Sequence, residues 1–336
     1  MVCVKRRPGR RAAWQVDPGA SAFRAVDGRA PSGWRSRARE HAVSVPIEVT
    51  RQLTMRLLSI QSHVAFGHVG NAAAVFPLQR LGCEVWPIHT VQFSNHTGYG
   101  RWRGSVFAAA MIRDVAQGMA ELGVLAACDA VLSGYIGSVE IGEAILGAVA
   151  AVRTANPVAR YSCDPVIGDV GRGVFVQPGV PQFIRERAVP AADLVTPNQF
   201  ELEYLADRAT PTLGAALDAV EALHALGPRT VLVTSVHTEQ TPANALDLLA
   251  SDVDGRFRLR MPKLPLNASG AGDAIAALFL FHYERSGSLA EALGRAASSM
   301  FGVLAKTQEA GSREMLLIEA QEELVNPTRL FVAEKI

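Results

Sequence analysis

From Met55 onward, short β-branched runs alternate with longer helical segments, and that alternation leaves the chain few possible folds. Leu57-Leu58-Ser59-Ile60-Gln61 reads as a buried strand, and the pattern predicts a helix over 71–81. Further strands are expected over 83–88, 130–133, 159–163, 194–195 and 230–234. Helices are expected over 106–122, 139–154, 179–187, 199–206 and 213–226. Residues 243–260 read as hairpin strands, and two closing helices are expected over 271–285 and 289–306. Repeated strand–helix–strand units make strands parallel and put helices on both faces. The expected class is therefore α/β, with a mostly parallel central sheet, and ligands in such folds gather beyond the carboxyl ends of the strands.

Upstream of Met55 the alternation is missing. Residues 1–54 mix Pro, Gly, Arg and Ser without a period, which reads as a disordered basic extension. They carry a net charge of +7, so the remainder of a chain with formal charge +1 is −6. That mildly acidic body argues against nucleic acid as a partner. Met55 is the expected start of the protein, with 1–54 as upstream reading frame; an N-terminal sequence beginning at Met1 would contradict this. The cysteines, Cys3, Cys83, Cys128 and Cys163, are widely spaced, which suits buried thiols in a reducing compartment better than a zinc site or disulfide frame. The longest apolar stretch, Ala274–Phe281, is too short to span a bilayer, and no secretory signal is evident. A cytoplasmic protein is expected.

The segment with the most chemistry is Ser269-Gly270-Ala271-Gly272-Asp273, which runs straight into the apolar helix at 274–280. A glycine turn entering a helix aims unpaired N–H groups and the positive end of the helix dipole at one point, which suits phosphate. It is not a Walker loop, because no Gly-Lys-Ser/Thr follows. Taken alone, Asp273 reads as an ordinary first-turn acid.

Its setting changes that reading. Polar residues fall at the carboxyl ends of four other strands: Ser62 and His63; Asp164 within Cys163-Asp164-Pro165-Val166-Ile167-Gly168-Asp169; Thr196-Pro197-Asn198-Gln199-Phe200-Glu201; and Thr234-Ser235. Three acids and several hydroxyls around one crevice suit a nucleotide with a divalent metal. Individually, Asp164 before proline also reads as a turn former, Asn198 as an N-cap and Glu201 as a first-turn acid. A second polar cluster, Gln92-Phe93-Ser94-Asn95-His96-Thr97-Gly98-Tyr99-Gly100, suits a flap that covers a ring, or else a plain surface loop. Tyr135, after the 130–133 strand, is placed to face the same crevice.

The stretch from Met55 to about Val325 resembles the pyridoxal kinases of the ribokinase-like superfamily. Gly-Ala-Gly-Asp at 270–273 is the superfamily's broad signature. The narrower match is Ser59-Ile60-Gln61-Ser62-His63-Val64 with Gly67-His68-Val69-Gly70-Asn71, and Val91 to Gly100. The resemblance implies a ribokinase-like three-layer α/β/α sandwich over 55–336 that transfers phosphate from ATP to the 5′-hydroxyl of pyridoxal. By similarity, Asp273 would take the hydroxyl proton, and Gly270, Ala271 and Gly272 would form the anion hole. Ser62, Thr97, Gly98 and Tyr135 would contact the ring. Asp164 and Glu201 would organise Mg²⁺ and phosphates, with Thr196, Thr234 and Ser235 on the nucleotide and Lys263 near the adenine pocket. Asp169 and Thr196 resemble the site for a monovalent cation such as K⁺ in some members. A homodimer acting on small molecules is implied, without nucleic acid or membrane. Many bacterial relatives carry lysine where Thr234 stands, so phosphate neutralisation is expected to lean on metal. Hydroxymethylpyrimidine kinase, with the same chemistry on another ring, is the alternative enzyme. A non-catalytic vitamer-binding protein is the alternative outside catalysis, disfavoured because Asp273, Asp164 and Glu201 are all present.

Overall fold

The computed structural model describes residues 54–266 and 268–336. The basic extension at 1–53 and Cys3 lie outside the described residues.

Ten strands form one sheet. In chain order the strands are β1 (Arg56–Val64), β2 (Glu84–Phe93), β3 (Gly104–Val106), β4 (Ala130–Ser133), β5 (Arg160–Cys163), β6 (Gly168–Asp169), β7 (Gly173–Val174), β8 (Leu194–Val195), β9 (Thr230–Val236), β10 (Ala245–Asp252), β11 (Gly255–Pro262) and β12 (Glu334–Lys335). β6 and β7 form a separate two-stranded ribbon, and the others run in the order β12-β11-β10-β9-β8-β5-β4-β1-β2-β3. The six strands from β9 to β2 are parallel to one another. Antiparallel strands flank them: β3 on one side, and β10, β11 and β12 on the other.

The helices are α1 (Asn71–Arg80), α2 (Ala109–Glu121), α3 (Val139–Ala155), α4 (Val180–Phe183), α5 (Val189–Ala191), α6 (Gln199–Ala206), α7 (Leu213–Leu226), α8 (Ala271–Ser286), α9 (Leu289–Glu309) and α10 (Gln321–Val325). They divide between the two faces. Residues of α2, α3, α6 and α7 pack on one side through Ile112, Ile145, Leu202 and Leu223. Those of α1, α8, α9 and α10 pack on the other through Leu78, Leu278, Met300 and Leu324. The result is the expected three-layer sandwich. Helix α8 is buried over most of its length because apolar residues cover almost its whole circumference, from Ala274 to Phe281. Each large side chain buried this way contributes about 1.5–3 kcal/mol, so the first turn of α8 is held in place by the core behind it.

Several strands outrun their expected limits, β9 reaching Val236 and β11 Pro262, and two of the extensions lie at the crevice. β1 continues through Ser62 and His63 to Val64, with an irregular register between Gln61 and His63, so Ser62 lies inside the strand end rather than after it. β2 extends through Val91–Phe93, where it pairs with β3, so Gln92 and Phe93, expected in the flap, belong to a strand. Pro87 sits in the part of β2 that β3 does not reach, the edge position a strand proline requires.

Candidate active site

The order in which successive parallel strands join the sheet reverses at β1, which has β2 on one side and β4 on the other. Beyond the carboxyl ends of these parallel strands lies the crevice expected to hold ligands. A buried polar chain fixes its floor. Gln61 Nε2 donates to Ser59 Oγ at 2.9 Å, and Ser59 Oγ donates to Asn71 Oδ1 at 2.7 Å. Asn71 Nδ2 in turn donates to the Ile88 carbonyl at 3.0 Å, tying the start of α1 to both strands.

Helix α8 opens above this floor. Gly270 has φ +86°, a left-handed angle open to glycine. A Cβ on Gly270 would collide with the His68 carbonyl oxygen, so the turn lies directly on the β1–α1 loop. No side chain caps α8, which leaves the first N–H groups available to an anion. Gly272 differs from Gly270: its φ is outside the left-handed range, and a Cβ there would meet open space. The strained position is therefore Gly270, not Gly272. Gly270→Ala is expected to displace the turn and remove most activity. Gly272→Ala should keep its Tm and lose kcat through intrusion on a bound phosphate; unchanged kcat would mark the turn as a plain helix start.

Asp273 stands half-buried in the first turn of α8. Burial pushes its carboxyl up to about 6, against the Gly70 N–H and its own N–H, which favour the charged form. Asp164, at the end of β5, is also pushed well above the carboxylate range, first by burial and then by the negative charge of Asp273. Thr196 Oγ1 donates to Asp164 Oδ1 at 2.9 Å. Glu201 is raised as well, by burial and by Asp164. Asp164 is thus linked electrostatically to Asp273 on one side and to Glu201 on the other.

Glu201 has a second commitment. Its Oε1 accepts the Ile167 N–H at 2.9 Å, and Oε2 accepts the Asn198 N–H at 2.9 Å. Asn198 Oδ1 accepts the Glu201 N–H at 3.0 Å, completing a capping box for α6. The carboxylate is spent on backbone donors and acts on the crevice through its charge beside Asp164. Asp169 lies on β6, exposed, with Oδ1 accepting the Val170 N–H at 2.8 Å. Among the described residues no group of three or more His, Cys, Asp or Glu is arranged to hold a metal.

On the β9 side of the crevice, Thr234 is buried in β9 and bridges to Asn198, and Ser235 is exposed with φ +55°. A non-glycine residue at that angle is uncommon and marks a locally imposed geometry. Lys263 follows β11 and is exposed. Since β11 runs in the same direction as β9, Lys263 falls on the same sheet edge, two strands beyond it.

Ser62 lies on the opposite side. A Cβ on Gly70 would collide with the Ser62 carbonyl and hydroxyl oxygens, so this loop also needs its glycine. Tyr135 packs with Val64, Val69, Val91 and Phe93 as an apolar wall. The flap is the connection between β2 and β3, closed at its base by Ser94 N–H to the Arg103 carbonyl at 2.7 Å. Thr97 and Gly98 form its exposed tip. His96 Nδ1 pairs with Ser269 Oγ at 3.0 Å, which brings the flap to the anion turn. Burial lowers the His96 pKa, and the Arg172 charge lowers it further. Nothing local in the sequence gives a role to Arg172, Gly70 or Glu314, which meet the remote residues His96, Asp273 and Tyr99 respectively.

Fold and anion turn place the chain among the ribokinase-like α/β kinases. The family model described as phosphomethylpyrimidine kinase matches residues 107–316. Pyridoxal kinase PdxY of Granulibacter bethesdensis is 56% identical over 285 residues, covering 83% of this chain and 99% of that protein. Pyridoxal kinase PdxY of Rubrobacter xylanophilus is 57% identical over 283 residues, covering 84% and 98%. The pyridoxal kinase of Leishmania donovani, solved in complex with ADP and pyridoxine, superposes with a TM-score of 0.78 at 31% identity, covering 84% of this chain and 99% of that one. The chain belongs to the pyridoxal kinase family.

Proposed function

We propose that the protein transfers the γ-phosphoryl group of ATP to the 5′-hydroxyl of pyridoxal, yielding ADP and pyridoxal 5′-phosphate. The observation that carries this is the Asp273 carboxyl, raised to about 6, in the first turn of an uncapped helix whose glycine turn sits on the β1–α1 loop. The hydroxyl oxygen of pyridoxal bonds to the γ-phosphorus as the bond to the β-phosphate oxygen breaks. Asp273 receives the hydroxyl proton late in that step, because a carboxylate is a weak base toward an alcohol. The N–H groups at Gly270, Ala271 and Gly272 stabilise the charge on the phosphoryl oxygens. Tyr135 and its apolar neighbours seat the ring, Ser62 supplies a hydrogen-bonding group, and the flap at Thr97 and Gly98 covers the substrate.

The buried acids fit a divalent cation: Asp164, oriented by Thr196, would hold it directly, with Glu201 behind Asp164. Mg²⁺ there would neutralise nucleotide phosphates. Asp169, whose Oδ1 accepts the Val170 N–H, and Thr196, which donates to Asp164, are the residues we assign to a monovalent cation such as K⁺. Thr234, Ser235 and Lys263 line the nucleotide side. No described helix is long and apolar enough to cross a membrane; we read the enzyme as a cytoplasmic homodimer.

A panel of pyridoxal, pyridoxine, pyridoxamine and hydroxymethylpyrimidine with Mg²⁺-ATP tests the reading. The curated relatives at 56% and 57% identity both carry the name pyridoxal kinase. The highest kcat/KM is therefore expected with a B6 vitamer; highest activity on hydroxymethylpyrimidine would reassign the substrate.

A further inference from the structure

Between α9 and α10 the segment Ser312–Leu316 runs beneath the flap. Its base is fixed to α9, where Thr307 Oγ1 accepts the Leu316 N–H at 3.0 Å and the Thr307 carbonyl accepts the Ser312 N–H at 3.1 Å. Three consecutive residues then reach three different parts of the site. Arg313 lies 3.7 Å above the Tyr99 ring and donates to the Gly98 carbonyl at 3.0 Å. Met315, fully buried, lies 3.1 Å from where a Gly270 Cβ would stand.

Glu314 sits between them with both oxygens engaged. Its Oε1 accepts the Tyr99 hydroxyl at 2.6 Å, and its Oε2 accepts the His68 N–H at 3.1 Å. A Cβ on Gly67 would overlap this carboxylate, so the loop is shaped to admit it. The carbonyl of the same His68 residue abuts Gly270. One half-buried carboxylate therefore joins the flap tip to the backbone that supports the anion turn, with partners 215 and 246 residues away. Charged acceptors make stronger hydrogen bonds than neutral ones, and both bonds here are of that kind.

We propose that Glu314 is a positioning residue, coupling the seating of the substrate flap to the placement of the anion turn that receives the phosphoryl group. It contacts neither reactant. Losing the Tyr99 bond loosens the flap and weakens substrate binding, while losing the His68 bond lets the turn shift relative to Asp273. Misplacement of about 1 Å at a reacting centre costs up to roughly 10²-fold in rate. The inference rests on the kinase reading above.

The test compares Glu314→Ala, Glu314→Gln, Tyr99→Phe and the Glu314→Ala/Tyr99→Phe double variant in the full-length protein. Glu314→Ala is expected to raise KM for pyridoxal and lower kcat together, with kcat/KM down about tenfold or more and KM for ATP within about twofold. Tyr99→Phe should raise KM for pyridoxal alone, and should add nothing in the Glu314→Ala background, because both remove the same bond. Glu314→Gln, which keeps a single acceptor oxygen, should fall between wild type and Glu314→Ala. Folded Glu314→Ala with kcat/KM within about twofold of wild type would overturn the proposal, and so would full additivity of the two substitutions. Should Glu314→Ala fail to fold, unchanged constants in both Glu314→Gln and Tyr99→Phe would overturn it equally. A wild type without ATP-dependent turnover would overturn the kinase reading and this inference together.

Discussion

Asp273→Asn is expected to lower kcat by about 10²–10⁴, the range that loss of a positioned acid or base removes, with little change in nucleotide binding. Asparagine preserves size and a hydrogen-bond acceptor for the Gly70 N–H, but it cannot accept the substrate proton. The pH dependence follows from the same group. Asp273 must be ionised to act, and its carboxyl is raised to about 6, so kcat/KM of the wild type should climb as pH rises through about 6. That limb should vanish from the residual activity of the variant. Near-native kcat in Asp273→Asn would remove the residue from the role of base.

Asp164→Asn should have opposite effects on activity and on stability. Activity is expected to fall by at least about 10², through loss of the carboxylate that organises the metal. The metal-free protein should become more stable at alkaline pH. Burial and the Asp273 charge hold the Asp164 pKa above its unfolded value, so the folded state binds this proton more tightly than the unfolded state. The resulting stability is present below the ordinary carboxylate pKa of about 4 and is lost as pH rises through the raised value. Asparagine abolishes that titration while still accepting from Thr196. At pH 8 the metal-free variant should melt at least about 2 °C above metal-free wild type, and the gap should close toward pH 4. Adding Mg²⁺ should raise the wild-type Tm at pH 8 and leave the variant unmoved. A variant melting below wild type at pH 8 would show that Asp164 is not an electrostatic burden in the empty site.

Much of this arrangement could be read from the chain because it rests on local patterns. Thr230-Val231-Leu232-Val233 is strand-forming wherever it falls, and the glycine turn before Ala274–Leu280 announces a helix start with an anion site. Asn198 and Glu201 stand at capping-box spacing, so their structural commitment was also visible, though not that it would occupy both Glu201 oxygens. Features made by pairing remote segments were not visible. β3 is the exposed tripeptide Gly104-Ser105-Val106, and it is a strand because Val91–Phe93 of β2 lies beside it. β12, two residues near the end, likewise depends on β11. Gly272 and Gly270 look equivalent in sequence, and the left-handed φ of Gly270 together with its contact with the His68 carbonyl separates them. Glu314 gave no local signal because its meaning lies in Tyr99 and His68.

The account's central claim is transfer of a phosphoryl group to the 5′-oxygen of pyridoxal at the Gly270–Asp273 turn. It is tested most directly by incubating the protein with Mg²⁺, ATP labelled in the γ-phosphate, and pyridoxal, then identifying the labelled product. The account predicts label in the 5′-phosphate ester of pyridoxal, formed in proportion to ADP and nearly absent with Asp273→Asn. ATP consumption that does not depend on pyridoxal, or equal product from the variant, would contradict it.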